Sequence, residues 1–350
     1  MRRSSRSWLS KASVGSAALL LLAVVAACTP DPGWLEQRRL TMGTWVDTVY
    51  STRDANQRER IDAELDALLE RFAIDYYAWA DGELARANAA LASGSSFQAS
   101  PELAALLQRA RAVSRSSEAY FDPGVGALVE AWGFHSAQSA PGEPAAEFLE
   151  RWQRDHASIA DLHLDGQQIS TARRDLVLDL GGIAKGDVVD RMLDVFLSAG
   201  ISDVLVNAGG DVRVLGMRGT REWRLGIQSP RAAALLGSIA LSDGEAAFTS
   251  GDYERFVESD SGRAHHLLDP VSGRPATHTR AVTVIADNGA LADAAATALF
   301  VAGPVNWRRV AAALDVGLVL RVDASGAIEM TPGMRERVRM QGTEEPATIP

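Results

Sequence analysis

Cysteine is almost absent from this 350-residue chain. Cys28 is the only one, so no disulfide can close within a molecule and no cysteine cluster is present to hold zinc. Basic charge is also short: 35 Lys and Arg face 45 Asp and Glu, a formal net charge of −10 that argues against nucleic acid as a partner. There is no H-E-x-x-H, no G-x-x-x-x-G-K-[ST] loop and no G-x-G-x-x-G, so the common zinc, Walker and dinucleotide signatures are missing. No internal repeat is visible, and no long apolar run follows the first 27 residues. Hydrophobic content of 47% nonetheless suffices for a sizeable folded core.

The N-terminus reads as a targeting segment. Arg2, Arg3, Arg6 and Lys11 precede an apolar stretch from Val14 to Ala27, too short and wrongly flanked for an ordinary spanning helix. It ends Val25-Ala26-Ala27-Cys28, which resembles a bacterial lipobox, with Cys28 as the lipid acceptor. A plain secretory signal with an incidental cysteine is the alternative. Cleavage would remove the four positive charges and take the formal charge from −10 to −14. The expected organisation is a signal peptide over 1–27, a lipid-anchored spacer over 28–40, one catalytic domain over 41–335 and a disordered tail over 336–350. The expected location is the periplasmic face of the bacterial inner membrane, and outer-membrane sorting stays open because Thr29 rather than an aspartate follows Cys28.

Periodicity places a strand after Met42-Gly43-Thr44, an amphipathic helix from Glu59 to Ile74, and a helix opened by Ser100-Pro101-Glu102. Gln138 to Ala146 reads as a loop. Short strands are expected at Val204–Ala208, Val212–Leu215, Trp223–Gln228, Gly237–Leu241, Ala281–Ala286 and Val316–Val322. A helix from Ala290 should stop at Gly303-Pro304 and be followed by another to Leu314. Without regular βα alternation, the fold class is α+β, with mixed or antiparallel sheets and helices packed on them.

The stretch Asp175–Asp190 carries the most information. An alternating apolar run, Leu176 to Leu180, reads as a strand that turns on Gly181-Gly182 into Lys185-Gly186 and a helix bearing Val188, Val189, Met192, Leu193 and Phe196. A helix start of this kind offers backbone N–H groups to an anion, and the lysine adds charge. Asp293 and Thr297 lie four apart and so share a helix face; their oxygens suit Mg²⁺ better than zinc. Each cluster also has a plainer reading. Asp122-Pro123 and Gly209-Gly210 make turns, Asp293 complements a helix dipole, and His265-His266 is one packed and one exposed histidine.

Seven segments in order carry a resemblance. They are Met42-Gly43-Thr44, Phe121-Asp122-Pro123, Leu178 to Gly186, Ala208-Gly209-Gly210-Asp211, Thr249 to Tyr253, His266 to Pro270, and Asp293 through Thr297. Together they resemble the FAD:protein FMN transferases, the ApbE-type flavin transferases. The resemblance implies an ApbE-like fold with two intimate subdomains around an FAD cleft. It implies Mg²⁺-dependent transfer of FMN from FAD to a threonine or serine hydroxyl of an acceptor flavoprotein, with release of AMP. Carried over, Asp293, Thr297 and the carbonyl of Gly182 hold Mg²⁺. Met42, Trp79, Tyr120, Phe121, Asp122, Asp179, Lys185, Ser250 and Leu268 contact FAD. His266 assists deprotonation of the acceptor, and Asp293 joins it as a catalytic residue through the metal. Departures are confined to the pocket edge: Gly124 and Ala127 after Phe-Asp-Pro, Ser272 after Asp-Pro, and the run Ala80 to Arg86 where serines are usual. The alternatives are FAD hydrolysis to FMN and AMP at the same site, and a lipoprotein that stores FAD without cleaving it.

Overall fold

The computed structural model describes residues 33–41, 43–135, 142–259 and 262–341. In chain order its strands are β1 (Trp34–Thr41), β2 (Thr44–Ser51), β3 (Phe97–Gln98), β4 (Leu162–Asp165), β5 (Gln168–Thr171), β6 (Val204–Ala208), β7 (Asp211–Leu215) and β8 (Trp223–Gln228). They continue with β9 (Leu235–Leu241), β10 (Ala246–Gly251), β11 (Phe256–Ser259), β12 (Gly262–His265), β13 (Thr279–Ala286), β14 (Leu318–Asp323), β15 (Ile328–Met330) and β16 (Val338–Met340). The helices are α1 (Ala55–Asp75), α2 (Glu83–Ser93), α3 (Pro101–Ser116), α4 (Gly126–Ala131), α5 (Ala146–Arg154), α6 (Ala184–Ser198), α7 (Gly289–Ala313) and α8 (Pro332–Arg337).

An eight-stranded antiparallel sheet, ordered β1-β2-β6-β7-β10-β13-β14-β15, forms the central layer. Its strands alternate between two cores, as the two-residue period of a strand requires. Val204, Val206, Phe248, Val282 and Val284 face a large core shared with α1, α3, α6 and α7. Val212, Ala247, Ala281, Ile285 and Leu320 face a second core, closed by the β16-β9-β8 sheet through Trp223, Ile227 and Ile239. A satellite cluster of Leu128, Trp132, Phe134, Leu149, Trp152 and Leu268 lies by α4 and α5. The two expected subdomains share the sheet so closely that the described residues form one compact unit. No helix among the described residues is long and apolar enough to cross a membrane.

Most expected elements are present. Ser100 caps α3 by accepting from the Leu103 N–H at 3.1 Å. At the anticipated break in α7, Gly303 adopts φ 64° and ψ −169°. Three expectations are corrected. The supposed spacer 28–40 contains β1, an edge strand paired along its length with β2. The supposed tail 336–350 begins inside the fold, since β16 pairs with β9 through Val338 and Ile239; residues 342–350 lie outside the described residues, as do the 1–27 segment and Cys28. The expected strand at Leu176–Leu180 is extended chain with a single bridge, Val177 to Val125. The Asn88 side chain takes the place of a neighbouring strand there, giving to the Leu178 carbonyl and accepting from its N–H, both at 2.9 Å. Of the Gln138–Ala146 loop, 142–145 are irregular and the residues before them lie outside the described set.

The site depends on how α6 and α7 meet. Each is capped by a carboxylate from the other. Asp190 of α6 accepts from the Gly289 and Ala290 N–H groups of α7 at 2.6 and 3.1 Å, and Asp293 of α7 accepts from the Gly186 N–H of α6 at 3.0 Å. The backbones touch because both contact residues are glycines. A Cβ on Gly186 would lie 2.1 Å from the Gly289 carbonyl oxygen, and one on Gly289 would lie 2.6 Å from that of Gly186. Gly186→Ala is therefore expected to lower stability by about 1–3 kcal/mol, the usual cost of overpacking. Urea unfolding followed by circular dichroism checks this, and an unchanged midpoint contradicts the contact.

Candidate active site

The crossing of α6 and α7 gathers the proposed metal ligands. Asp293 is buried in the first turns of α7, with Oδ2 tied to Gly186 and Oδ1 making no hydrogen bond among the described residues. Thr297 follows one turn later on the same face, its Oγ1 3.2 Å from the Oγ of buried Ser250 on β10. Gly182 packs on the same hydroxyl: a Cβ there would meet Thr297 Oγ1 at 3.3 Å and the Phe121 ring at 3.2 Å. Gly182, Ser250, Phe121 and Thr297 thus form one continuous wall beside Asp293.

Lys185, in the first turn of α6, reaches across to Asp211 at the start of β7. The other oxygen of Asp211 accepts from the Thr249 N–H of β10 at 2.9 Å, which fixes the carboxylate. Burial works against the Lys185 ammonium, but Asp211, Asp293 and Glu254 around it hold its pKa above the usual lysine value. Burial pushes Asp293 up to about 7 against the pull of Lys185, with Asp211 adding to the rise. Three carboxylates thus surround one lysine and leave surplus negative charge in a poorly solvated place.

That surplus suits a cation. The donors offered are a carboxylate, a hydroxyl and the Gly182 carbonyl, all oxygen, and no group of three or more His, Cys, Asp and Glu that could hold a metal exists among the described residues. So sparse an oxygen set fits Mg²⁺, which keeps waters and relies on substrate phosphates, and does not fit zinc.

The other expected residues fall into distinct settings. Asp179 precedes the glycine turn, its Oδ1 accepting from the Gly181 N–H at 2.8 Å; burial raises its pKa against Gly181 and Arg255. Tyr120 receives a hydrogen bond from Asn306 at 2.9 Å, and Phe121 is buried. Asp122 commits Oδ1 to the Gly124 and Ile159 N–H groups at 2.7 and 2.9 Å, so its carboxylate holds a turn as the plainer reading had it. Trp79 packs against Tyr77 and His135, and the Leu268 side chain lies in the satellite core. Met42 lies outside the described residues.

The histidines separate into one packed and one more open ring, as expected. His265 is buried, its Nε2 3.0 Å from the Ala276 carbonyl. His266 stays half-buried, with Nδ1 3.2 Å from the Arg255 carbonyl. A carbonyl oxygen only accepts, so Nδ1 carries the proton and Nε2 presents a lone pair. His266 does not titrate near ~6.5. Burial, then Arg255, push it down to about 3, so it is neutral at working pH.

Sequence reasoning left Asp211 as a turn residue and passed over Asp190, Glu254 and Arg255. Asp211 had a signal in its Gly-Gly-Asp segment; Glu254 had none, because its part comes only from the loop that brings it to His266.

Because Asp293 is protonated below about 7, a cation must displace that proton to bind. Mg²⁺ affinity is therefore expected to fall by about tenfold per pH unit well below that point. Calorimetric titration with Mg²⁺ at several pH values measures this, and a flat profile from acid to neutral pH removes Asp293 from the ligand set.

Known proteins resemble the chain along nearly its whole length. The family model described as "ApbE family" matches residues 42–320. The FAD:protein FMN transferase of Rhodobacter capsulatus is 39% identical over 327 residues, covering 93% of this chain and 62% of that protein. The chain thus spans under two thirds of that relative's length. The Vibrio cholerae protein of the same name is 31% identical over 322 residues, covering 91% of this chain and 94% of its own. The crystal structure of the ApbE protein from Thermotoga maritima superposes with a TM-score of 0.80 at 30% identity, over 87% of this chain and 99% of that one. The flavin transferase ApbE from Vibrio cholerae gives 0.76 at 29% identity, with the same coverage. With its fold matched to these structures and its sequence matched to the family model from residue 42 to residue 320, the chain belongs to the ApbE family.

Proposed function

We propose that this protein is a Mg²⁺-dependent FAD:protein FMN transferase that moves FMN from FAD to a threonine or serine hydroxyl of an acceptor flavoprotein and releases AMP. The observation that carries the reading is the convergence of an oxygen-only cation site with a lysine on the Gly182–Lys185 turn. A protein that only stored FAD would not require a metal site. The names of the relatives support the same activity.

In this reading Asp293, Thr297 and the Gly182 carbonyl hold Mg²⁺, which neutralises charge on the pyrophosphate when bound. Lys185, steadied by Asp211, meets the phosphate portion of FAD with a fixed positive charge. Asp179 and Ser250 line the same wall, and Phe121 gives it an apolar surface. His266 presents its Nε2 lone pair to the acceptor hydroxyl. The acceptor oxygen attacks the phosphorus on the FMN side, the bond to AMP breaks, and FMN stays attached through a phosphoester. Little else is needed, because phosphoryl-type transfer rests on positioning and charge stabilisation.

The reading includes a location. Cleavage before Cys28 and lipidation of its thiol would tether the domain to the periplasmic face of the bacterial inner membrane. Mass spectrometry of the membrane-extracted protein is expected to find lipid on an N-terminal Cys28, and an unmodified thiol contradicts the anchor.

The central experiment incubates the protein with FAD, an acceptor domain and either Mg²⁺ or EDTA, then reads covalent flavin fluorescence on the acceptor after denaturing electrophoresis. Flavin is expected on the acceptor only with Mg²⁺. Free FMN alone points to hydrolysis, and uncleaved FAD points to storage. Asp293→Ala should lower transfer by roughly 100-fold or more. Lys185→Ala should weaken FAD binding or turnover, and pairing it with Asp211→Asn removes the stranded carboxylate. Wild-type kinetics in that pair reduce the lysine to a structural ion pair.

A further inference from the structure

Glu254 has no role in the mechanism above, yet it stands closer to the proton-transfer step than any other carboxylate whose contact with His266 is resolved. It lies on the turn between β10 and β11, in the segment Asp252-Tyr253-Glu254-Arg255. Both ends of the turn are fixed. Asp252 is buried and held by Arg231 at 2.7 and 2.5 Å, and the Arg255 carbonyl accepts from the His266 N–H at 3.1 Å. That carbonyl also takes the Nδ1 proton of His266, so the same short turn fixes the ring's tautomer and carries the carboxylate.

The lone pair that this tautomer leaves on Nε2 faces Glu254. Nε2 and Oε2 are 4.0 Å apart, a gap that a small side-chain rotation closes to hydrogen-bond length once Nε2 has taken up a proton to donate. Both groups reach solvent: 23% of the His266 side chain and 36% of the Glu254 side chain are exposed, enough for an acceptor hydroxyl to approach.

We propose that Glu254 is the terminal proton acceptor of the transfer step, receiving through His266 the proton that leaves the acceptor hydroxyl. The proposal rests on the transferase reading of this site. As the acceptor Oγ forms its bond to the FMN phosphorus, its proton passes to Nε2 and on to Glu254. The anhydride bond to AMP breaks, AMP keeps that bond's electrons as phosphate oxygen charge, and the Glu254 proton is later lost to solvent.

The surroundings explain why the histidine cannot keep the proton. Burial makes the imidazolium costly, and the charges of Arg255, His265 and Lys185 add to that cost. Glu254 is displaced the opposite way: burial raises it and Asp211 adds to the rise, against Lys185 and Arg255. A pair of groups whose environments drive their proton affinities apart is how acid and base roles are divided in a site.

The test uses Glu254→Gln in the full-length enzyme at saturating Mg²⁺, where metal holds Asp293 ionised at every pH sampled. Transfer to the acceptor is measured as covalent flavin, and FAD binding as quenching of flavin fluorescence. We expect kcat to fall by roughly 100-fold, the scale of a lost general base, with FAD affinity unchanged. Wild-type kcat should rise with pH through a limb above the ordinary carboxylate range. Glu254→Gln should lose that limb and recover part of its rate at high pH, while Glu254→Asp keeps a shifted limb. A Glu254→Gln rate within about twofold of wild type, or an equal loss of kcat and FAD binding, overturns the proposal. A wild type that never flavinylates an acceptor overturns the transferase reading itself and this proposal with it.

Discussion

The contact between Gly186 and Gly289 is the constraint on which the rest of the site depends. Where two helix starts meet backbone to backbone, unpaired N–H groups need acceptors, and no water has room to supply them. Each helix lends the other a carboxylate, so Asp190 and Asp293 are structural before they are chemical. This gives Asp293 a fixed position, with one oxygen anchored to the backbone of α6. A carboxylate held this way is preorganised for whatever charge meets it.

The electrostatics follow from that arrangement. The acidic groups around Lys185 come from separate elements: Asp211 from β7, Asp293 from α7 and Glu254 from the turn after β10. None lies beside another in sequence, and the sheet order alone brings β7, β10 and β13 together under α7. One lysine does not balance three carboxylates, so burial and the neighbouring negative charges raise both Asp293 and Glu254 above ordinary carboxylates.

How much was legible in the sequence depended on whether a residue's environment was local. The α1, α3 and α6 faces were readable because buried positions such as Ile61, Leu65 and Leu69, or Val188, Val189 and Met192, recur at helical spacing. The break in α7 was readable because Gly303-Pro304 punctuates it. The Leu176–Leu180 run alternates as a strand does, but nothing local told that Asn88, ninety positions away, would satisfy its backbone. β1 was passed over because its pattern is polar on an edge, and β16 because three residues carry no period. At the site, Asp293, Thr297, Gly182 and Lys185 were visible as motif residues. The tautomer of His266 was not, because it is set by a carbonyl on another segment.

The edge strand β1 has a mechanical meaning. The chain enters the fold at Trp34, and β1 runs antiparallel to β2 with Trp34 opposite Ser51 and the hairpin turn at the far end. A pull on the N-terminal side therefore loads this hairpin as a zipper, straining its outermost rung before any other. What resists is side-chain lacing: Trp34 lies edge-on against Trp223 of β8, and further along Gln37 and Arg39 grip Asp62 and Asp66 of α1. Tugging at that end would then pass force into α1 and, because α1 packs on α6, on through the large core towards the α6–α7 crossing.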